Sequence, residues 1–197
     1  MPRKSSRGAI LNAADKVVRK VGANHLTLEA VAEKAGVSKG GLLYSFPTKE
    51  MLLKAMVTRQ FEELEMARSK ERVNLPEGPG REVKAHVLSL LNPCHGDEGI
   101  HTALFAAGAQ DPRLLAPAQG LLKSMFDDFA ATGLRHERAA AIGLATYGLY
   151  LMDLLGVSSF TVEQREAIVA ELMRLADDRQ AAGITPAKKL RGRKHAG

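Results

Sequence analysis

The sequence holds one cysteine, Cys94, among 197 residues, which excludes an intramolecular disulfide. No apolar stretch near the N-terminus has the layout of a signal peptide, so a reducing cytoplasm is the expected compartment. Aromatic residues make up 5% of the chain and tryptophan is absent. The strand-forming types as a group are thin, whereas Ala, Leu, Glu, Lys and Arg are plentiful, and this balance predicts an all-α fold. Long apolar runs are also missing: residues 139–152 make fourteen, short of the roughly 20 that a membrane span needs. Catalytic signatures are absent too, with no GxSxG, no P-loop, no dinucleotide fingerprint and no clustered His/Asp/Glu set. An enzyme is therefore not expected, although a helical one with concealed catalysis remains an alternative class. No cofactor is expected either. Cys94, His95, Asp97, Glu98 and His101 crowd one loop, residues 92–101, but no pair has the spacing of a strong metal site.

What is present is organised around residues 27–49, TLEAVAEKAGVSKGGLLYSFPTK. Leu28, Val31, Ala32 and Ala35 fall at i, i+3, i+4 and i+7, giving one apolar helical face. Thr27 is suited to cap its start and Gly36 to close its end. Ser38 can cap a second helix, about two turns long, that must stop at Phe46 because Pro47 forbids continuation. Two short helices joined by Gly36-Val37 read as a helix-turn-helix. Gly40 and Gly41 each cost roughly 0.8–1 kcal/mol against Ala in a helix interior. Their presence suggests that the first turn lies close to a nucleic-acid groove, with Lys39 and Ser45 on the exposed side and Leu42, Leu43 and Phe46 packed inward. The plainer alternative is a loose turn.

The run AGVSKGGLLYSFPTKEML resembles the DNA-binding signature of the TetR family of bacterial transcriptional regulators. The match is strong over residues 7–55 and rests on helical layout elsewhere. The family commonly carries two adjacent aromatics where this chain has Leu43-Tyr44. The resemblance therefore implies a phosphate-contacting role for Tyr44 and none for Leu43, and a similar contact for Lys49 at the start of the fourth helix.

Charge follows the same division. Residues 1–60 carry eleven Lys/Arg against four Asp/Glu, residues 61–180 twelve against eighteen, and residues 181–197 five against none. The basic surplus coincides with the helix-turn-helix, as phosphate binding requires, while the acidic middle is unsuited to lie on DNA. Three parts are expected: a DNA-binding domain at 1–50, a helical effector-binding and dimerisation domain at 51–180, and a basic, disordered tail at 181–197. The tail can add non-specific DNA affinity or simply be solvated. Arg3 and Lys4 belong either to a minor-groove arm or to a frayed terminus.

A first helix is expected over residues 7–21 and a fourth, long one over 48–72, about 37 Å at 1.5 Å per residue, which makes it a candidate lever. VNLPEGPG at 73–80 reads as a loop. Further helices are expected at 81–91 and 99–109. Asp111-Pro112 starts another, with a kink or restart imposed by Pro117. Residues 139–155 are apolar or small nearly all round, with Asp153 the single charge, so that helix needs partners on every side. One partner is the helix capped by Thr161 and Gln164. The other is a second copy of the chain in a four-helix bundle, with Gly143, Ala145 and Gly148 allowing close approach.

A two-turn helix contacts too few bases to choose a site, so a homodimer on a palindromic double-stranded DNA operator is expected. Lys39 is the candidate for base contact, and Thr27, Ser38, Tyr44 and Lys49 for phosphate contact. His101, Phe105, Met125, Phe126, Phe129, Tyr147, Tyr150, Met152 and Asp153 suit an apolar ligand pocket, or plain core packing. Asp153 needs a partner, whether a cationic ligand or an Arg or Tyr across the dimer. The family resemblance implies a small-molecule inducer there whose binding tilts the fourth helix and releases a repressor. A constitutive DNA-binding or architectural protein without ligand control is the alternative.

Overall fold

The computed structural model describes residues 6–91, 98–131 and 133–177. These form α1 Ser6–Val21, α2 Leu28–Ala35, α3 Lys39–Ser45, α4 Lys49–Asn74, α5 Arg81–Leu91, α6 Glu98–Gln110, a 3-10 turn Pro112–Leu115, α7 Ala116–Ala131, α8 His136–Leu154 and α9 Val162–Asp177. No strand occurs among the described residues. None of the described helices is long and apolar enough to cross a membrane.

Helix boundaries follow from local chemistry. Thr27, Ser38 and Thr48 sit in extended conformation, and their hydroxyls accept from the amides of Ala30, Gly41 and Met51 at 3.1–3.2 Å, each satisfying an otherwise orphan donor. Gly36 closes α2 at φ +66°, a left-handed geometry that a residue with a Cβ resists. Before α9 the capping box is reciprocal: Thr161 N–H donates to Gln164 Oε1 at 2.9 Å, and Gln164 N–H to Thr161 Oγ1 at 3.3 Å. Pro112 begins a 3-10 turn with Asp111 as its cap, and Pro117 lies in the first turn of α7, where its missing N–H breaks no helical bond.

Two cores result. In the N-terminal one, Ile10, Ala14 and Val18 of α1 pack with Val31 of α2, Leu42 and Phe46 around α3, and Leu52, Leu53, Met56 and Val57 of α4. A seven-residue helix has no standing of its own, since isolated helices under ~12–15 residues are marginal. What holds α3 is burial of Leu42 and Phe46, both at most 1% exposed, each contributing roughly 1.5–3 kcal/mol. The same core takes in Leu104 and Ala107 of α6, Leu114 of the 3-10 turn and Ala118 of α7. The second core joins α5, α7, α8 and α9 through Val83, Val87, Phe129, Ile142, Leu149 and Leu172.

The long α4, 26 residues or ~39 Å, runs from the first core to the second, where Leu64 packs. Arg59 fastens it to α1: its guanidinium pairs with Asp15, donates to Asn12 Oδ1 at 2.9 Å and to the Leu11 carbonyl at 3.3 Å.

α8 is not enclosed by its own chain. Ala139, Ile142, Thr146 and Leu149 face inward, while Ala141, Leu144, Ala145, Gly148 and Leu155 form an exposed apolar stripe, Leu144 being 64% exposed. Of the three small residues expected to face a partner, Ala145 and Gly148 lie on that stripe. Gly143 does not: a Cβ there would come within 2.9 Å of the Phe126 ring and 3.2 Å of the Phe129 ring. It serves close packing of α8 on α7 instead.

Candidate nucleic-acid interface and ligand cavity

The outward surface of α3 is open to solvent. Lys39, Gly40 and Gly41 are exposed in its first turn, and Tyr44 is 92% exposed. Leu42 and Phe46, two residues to either side of Tyr44 in sequence, point into the core, so a large aromatic stands in solvent on an anchored helix. Gly40 has open space where a Cβ would stand, whereas a Cβ on Gly41 would lie 3.2 Å from the capping Ser38 Oγ. Leu43 and Ser45 are half-buried.

The expected cations are engaged within the chain. Lys39 Nζ pairs with Glu29 Oε1 at 2.7 Å, both side chains 63% exposed, and the ammonium beside it holds the Glu29 carboxyl below its usual range. Lys49 Nζ donates to the Asn24 carbonyl at 2.6 Å, tying the loop before α2 to the start of α4, and partial burial lowers its pKa. Thr27 and Ser38 are exposed but already act as caps. Arg7 is a residue that motif reading passed over: its guanidinium lies 4.3 Å from the Phe46 ring centroid and donates to the Ser45 carbonyl at 3.2 Å. A cation at a helix C-terminus is favourable with the dipole, and this one fixes the end of α3 to α1.

Between α4, α6, α7 and α8 lies an apolar cavity of about 500 Å³. Its wall includes His101, Phe105, Phe126, Tyr147 and Tyr150, along with Val57, Gln60, Phe61 and Leu64 of α4. No Asp, Glu, Lys or Arg is among the described residues that line it. Tyr150 hydroxyl and His101 Nδ1 are hydrogen-bonded across the wall. A second chamber, about 250 Å³, adjoins it and shares Phe61, Leu64, Leu122 and Tyr147; Met125 faces this one. Desolvation of Tyr147 pushes its hydroxyl pKa up to about 12, so it stays a neutral donor, directed at Met125 Sδ at 3.7 Å.

Three of the expected pocket residues stand outside both walls. Phe129 is wholly buried in the second core behind them, and Met152 is half-buried away from the cavity. Asp153 is paired within its own chain: Arg165 of α9 donates to its Oδ2 at 2.8 Å and to the Leu91 carbonyl at 2.8 Å. The pair therefore clamps α8, α9 and the end of α5. The charged loop with Cys94, His95 and Asp97 lies outside the described residues, and no metal-ligating cluster occurs among those described.

Residues 10–56 match the family described as "Bacterial regulatory proteins, tetR family", and residues 80–177 match "Tetracyclin repressor-like, C-terminal domain". The chain is 26% identical over 200 residues to the HTH-type transcriptional regulator BetI of Cronobacter sakazakii, covering 93% of this chain and 94% of that protein. In fold it is similar to the multidrug binding protein EbrR in complex with imidazole, with TM-score 0.69, 24% identity and coverage of 89% and 97% of the two chains. A transcriptional regulator from Rhodococcus sp. Rha1 is alike at TM-score 0.70, 21% identity and coverage of 87% and 96%. With a helix-turn-helix whose second helix has an exposed outer face, and with matches to regulators along both parts of the sequence, the chain belongs to the TetR family and is a DNA-binding transcriptional regulator.

Proposed function

We propose that this protein is a cytoplasmic repressor that binds a palindromic operator as a homodimer and is released by a small molecule held between α4, α6, α7 and α8. The observation that carries this reading is the sharing of α4. Val57 of this helix belongs both to the core that seats α3 and to the wall of the 500 Å³ cavity. Filling the cavity presses on the helix that Arg59 fastens to α1, so occupancy and recognition-helix placement are mechanically linked. The cavity's volume lies within the ~300–1,000 Å³ range of small-molecule sites, which favours ligand control over a constitutive DNA binder. Among the described residues the wall is apolar and uncharged, which disfavours a catalytic site.

Lys39 is assigned to base contact, Thr27, Ser38, Tyr44, Ser45 and Lys49 to the phosphate backbone, and Gly40 and Gly41 to close approach. Dimerisation is supported by the α8 stripe, an apolar face that water covers at a cost unless a second copy seats on it. The division at about residue 50 is one of role: α1 to α3 bind DNA, and α4 onward sense ligand and dimerise.

The test is a titration of the full-length protein bound to a duplex recovered from a random pool. Hydrophobic small molecules that raise its melting temperature are expected to release the duplex, and sedimentation is expected to give a dimer. Compounds that fill the cavity yet leave duplex affinity unchanged would contradict ligand release.

A further inference from the structure

The smaller chamber beside the apolar cavity has an unusual wall. Arg68 of α4 and His86 of α5 line it and are only 4% and 3% exposed. Arg68 NH2 donates to Asp128 Oδ2 at 3.0 Å and pairs with Glu65 at 2.7 Å, while NH1 stands 3.8 Å from Glu82 Oε2. Even so, Arg68 Nε and NH1 and His86 Nε2 have no hydrogen-bond partner. Buried polar atoms are nearly always paired, and these three belong to two residues that line one chamber, which makes it the place where a polar group would be received. This chamber shares four lining residues with the apolar one, so the two adjoin.

The chemistry of that group follows from the wall. Two of the orphans are guanidinium donors, so they call for an acceptor. Arg68 is already faced by three carboxylates, which leaves the locality net negative and repels an anionic head. An ammonium head has no lone pair to offer and leaves the Arg68 donors unpaired. The His86 ring, held neutral by burial, is free to donate or accept at Nε2. We propose that the regulator's ligand is an uncharged molecule with an apolar body for the 500 Å³ cavity and a carbonyl or hydroxyl oxygen that Arg68 and His86 hold in the adjoining chamber. The proposal rests on the ligand-release reading and specifies it. Because Arg68 is on α4, the polar end acts directly on the helix that joins the sensor to the DNA-binding unit, nine residues beyond Arg59.

The probes are C8–C12 methyl ketones, the matching carboxylates and the matching primary amines, titrated calorimetrically against the full-length protein. The ketones are expected to bind at least 10-fold more tightly than the other two series. Arg68→Lys keeps the charge and its carboxylate partners but removes the Nε and NH1 donors; circular dichroism is expected to show it folded, with the ketone preference lost. His86→Phe, which fills its own site with an aromatic ring, is expected to weaken ketone binding about tenfold. Equal binding of the three series overturns the polar-end assignment, as does unchanged ketone affinity in folded Arg68→Lys. In either case, release of DNA by the same compounds keeps the ligand-release reading standing. No ketone binding at all overturns this inference, and loss of ligand release altogether requires in addition that no cavity-filling compound displaces DNA.

Discussion

Replacing Gly40 with alanine separates the protein's stability from its function. In the free chain Gly40 is exposed, helical and not at positive φ, and a Cβ there meets nothing within 4 Å. The fold therefore has no use for the missing side chain. Alanine in place of glycine is worth ~0.8–1 kcal/mol in a helix interior, and somewhat less in a first turn, so a gain of up to about 1 kcal/mol is expected. For a chain of this size that raises the midpoint by ~2–4 °C. DNA binding should move the opposite way. If the first turn of α3 touches the groove, a methyl group overpacks a close contact at a cost of roughly 1–3 kcal/mol, or ~5- to 150-fold in Kd. Gly41→Ala is the control: its Cβ would crowd the Ser38 cap at 3.2 Å, so no stability gain is expected. Thermal melts give the first quantity, and fluorescence anisotropy on a selected duplex gives the second. Unchanged or tighter DNA binding by a stabilised Gly40→Ala protein would refute the close-approach reasoning.

Lys49→Ala is expected to weaken binding to selected and random duplexes alike, whereas Lys39→Ala should reduce discrimination between them; equal loss of discrimination, in anisotropy at fixed salt, would contradict the assignment. Glu29→Gln frees Lys39 from its ion pair, so random-duplex affinity should rise, while so exposed a pair leaves the melting temperature unchanged. Arg59→Met strands the largely buried Asp15. Urea unfolding should show a loss of roughly 1–3 kcal/mol, below the ~3–5 of a fully buried pair. His86 is held neutral by burial, with its pKa lowered from 6.5 to about 3. Since the unfolded chain then binds the extra proton, His86 costs no stability above pH 6.5 and progressively more as pH falls toward 3. The slope reaches at most ~1.4 kcal/mol per pH unit, and His86→Phe should flatten it in the same window. Parallel acid-unfolding curves would contradict this.

The sequence revealed what adjacent residues decide. Thr27, Ser38, Thr48 and the Thr161/Gln164 box act within four residues of themselves, and glycine or proline marks most boundaries, so the helix order was legible. Rotation of a helix about its axis is set by distant packing. That is why Gly143 was grouped with Ala145 and Gly148 although it faces Phe126 and Phe129. The same reason separates Phe129, Met152 and Asp153 from the cavity that His101, Phe105, Phe126 and Tyr147 line. On α4 no single apolar stripe exists because its two ends enter different cores. Its charges find distant partners: Arg59 meets Asp15 across 44 positions and Arg68 meets Asp128 across 60. Partners at such separation leave no local pattern, and neither the α1–α4 fastening nor the polar chamber was visible before the fold.

The central claim, that two copies of α3 read a duplex together, is tested most directly by selecting sequences from a random double-stranded pool with the purified full-length protein. The account predicts an inverted repeat whose half-sites are recovered together and both contribute to affinity. Enrichment of one unrepeated motif, or of no motif above the starting pool, would contradict it.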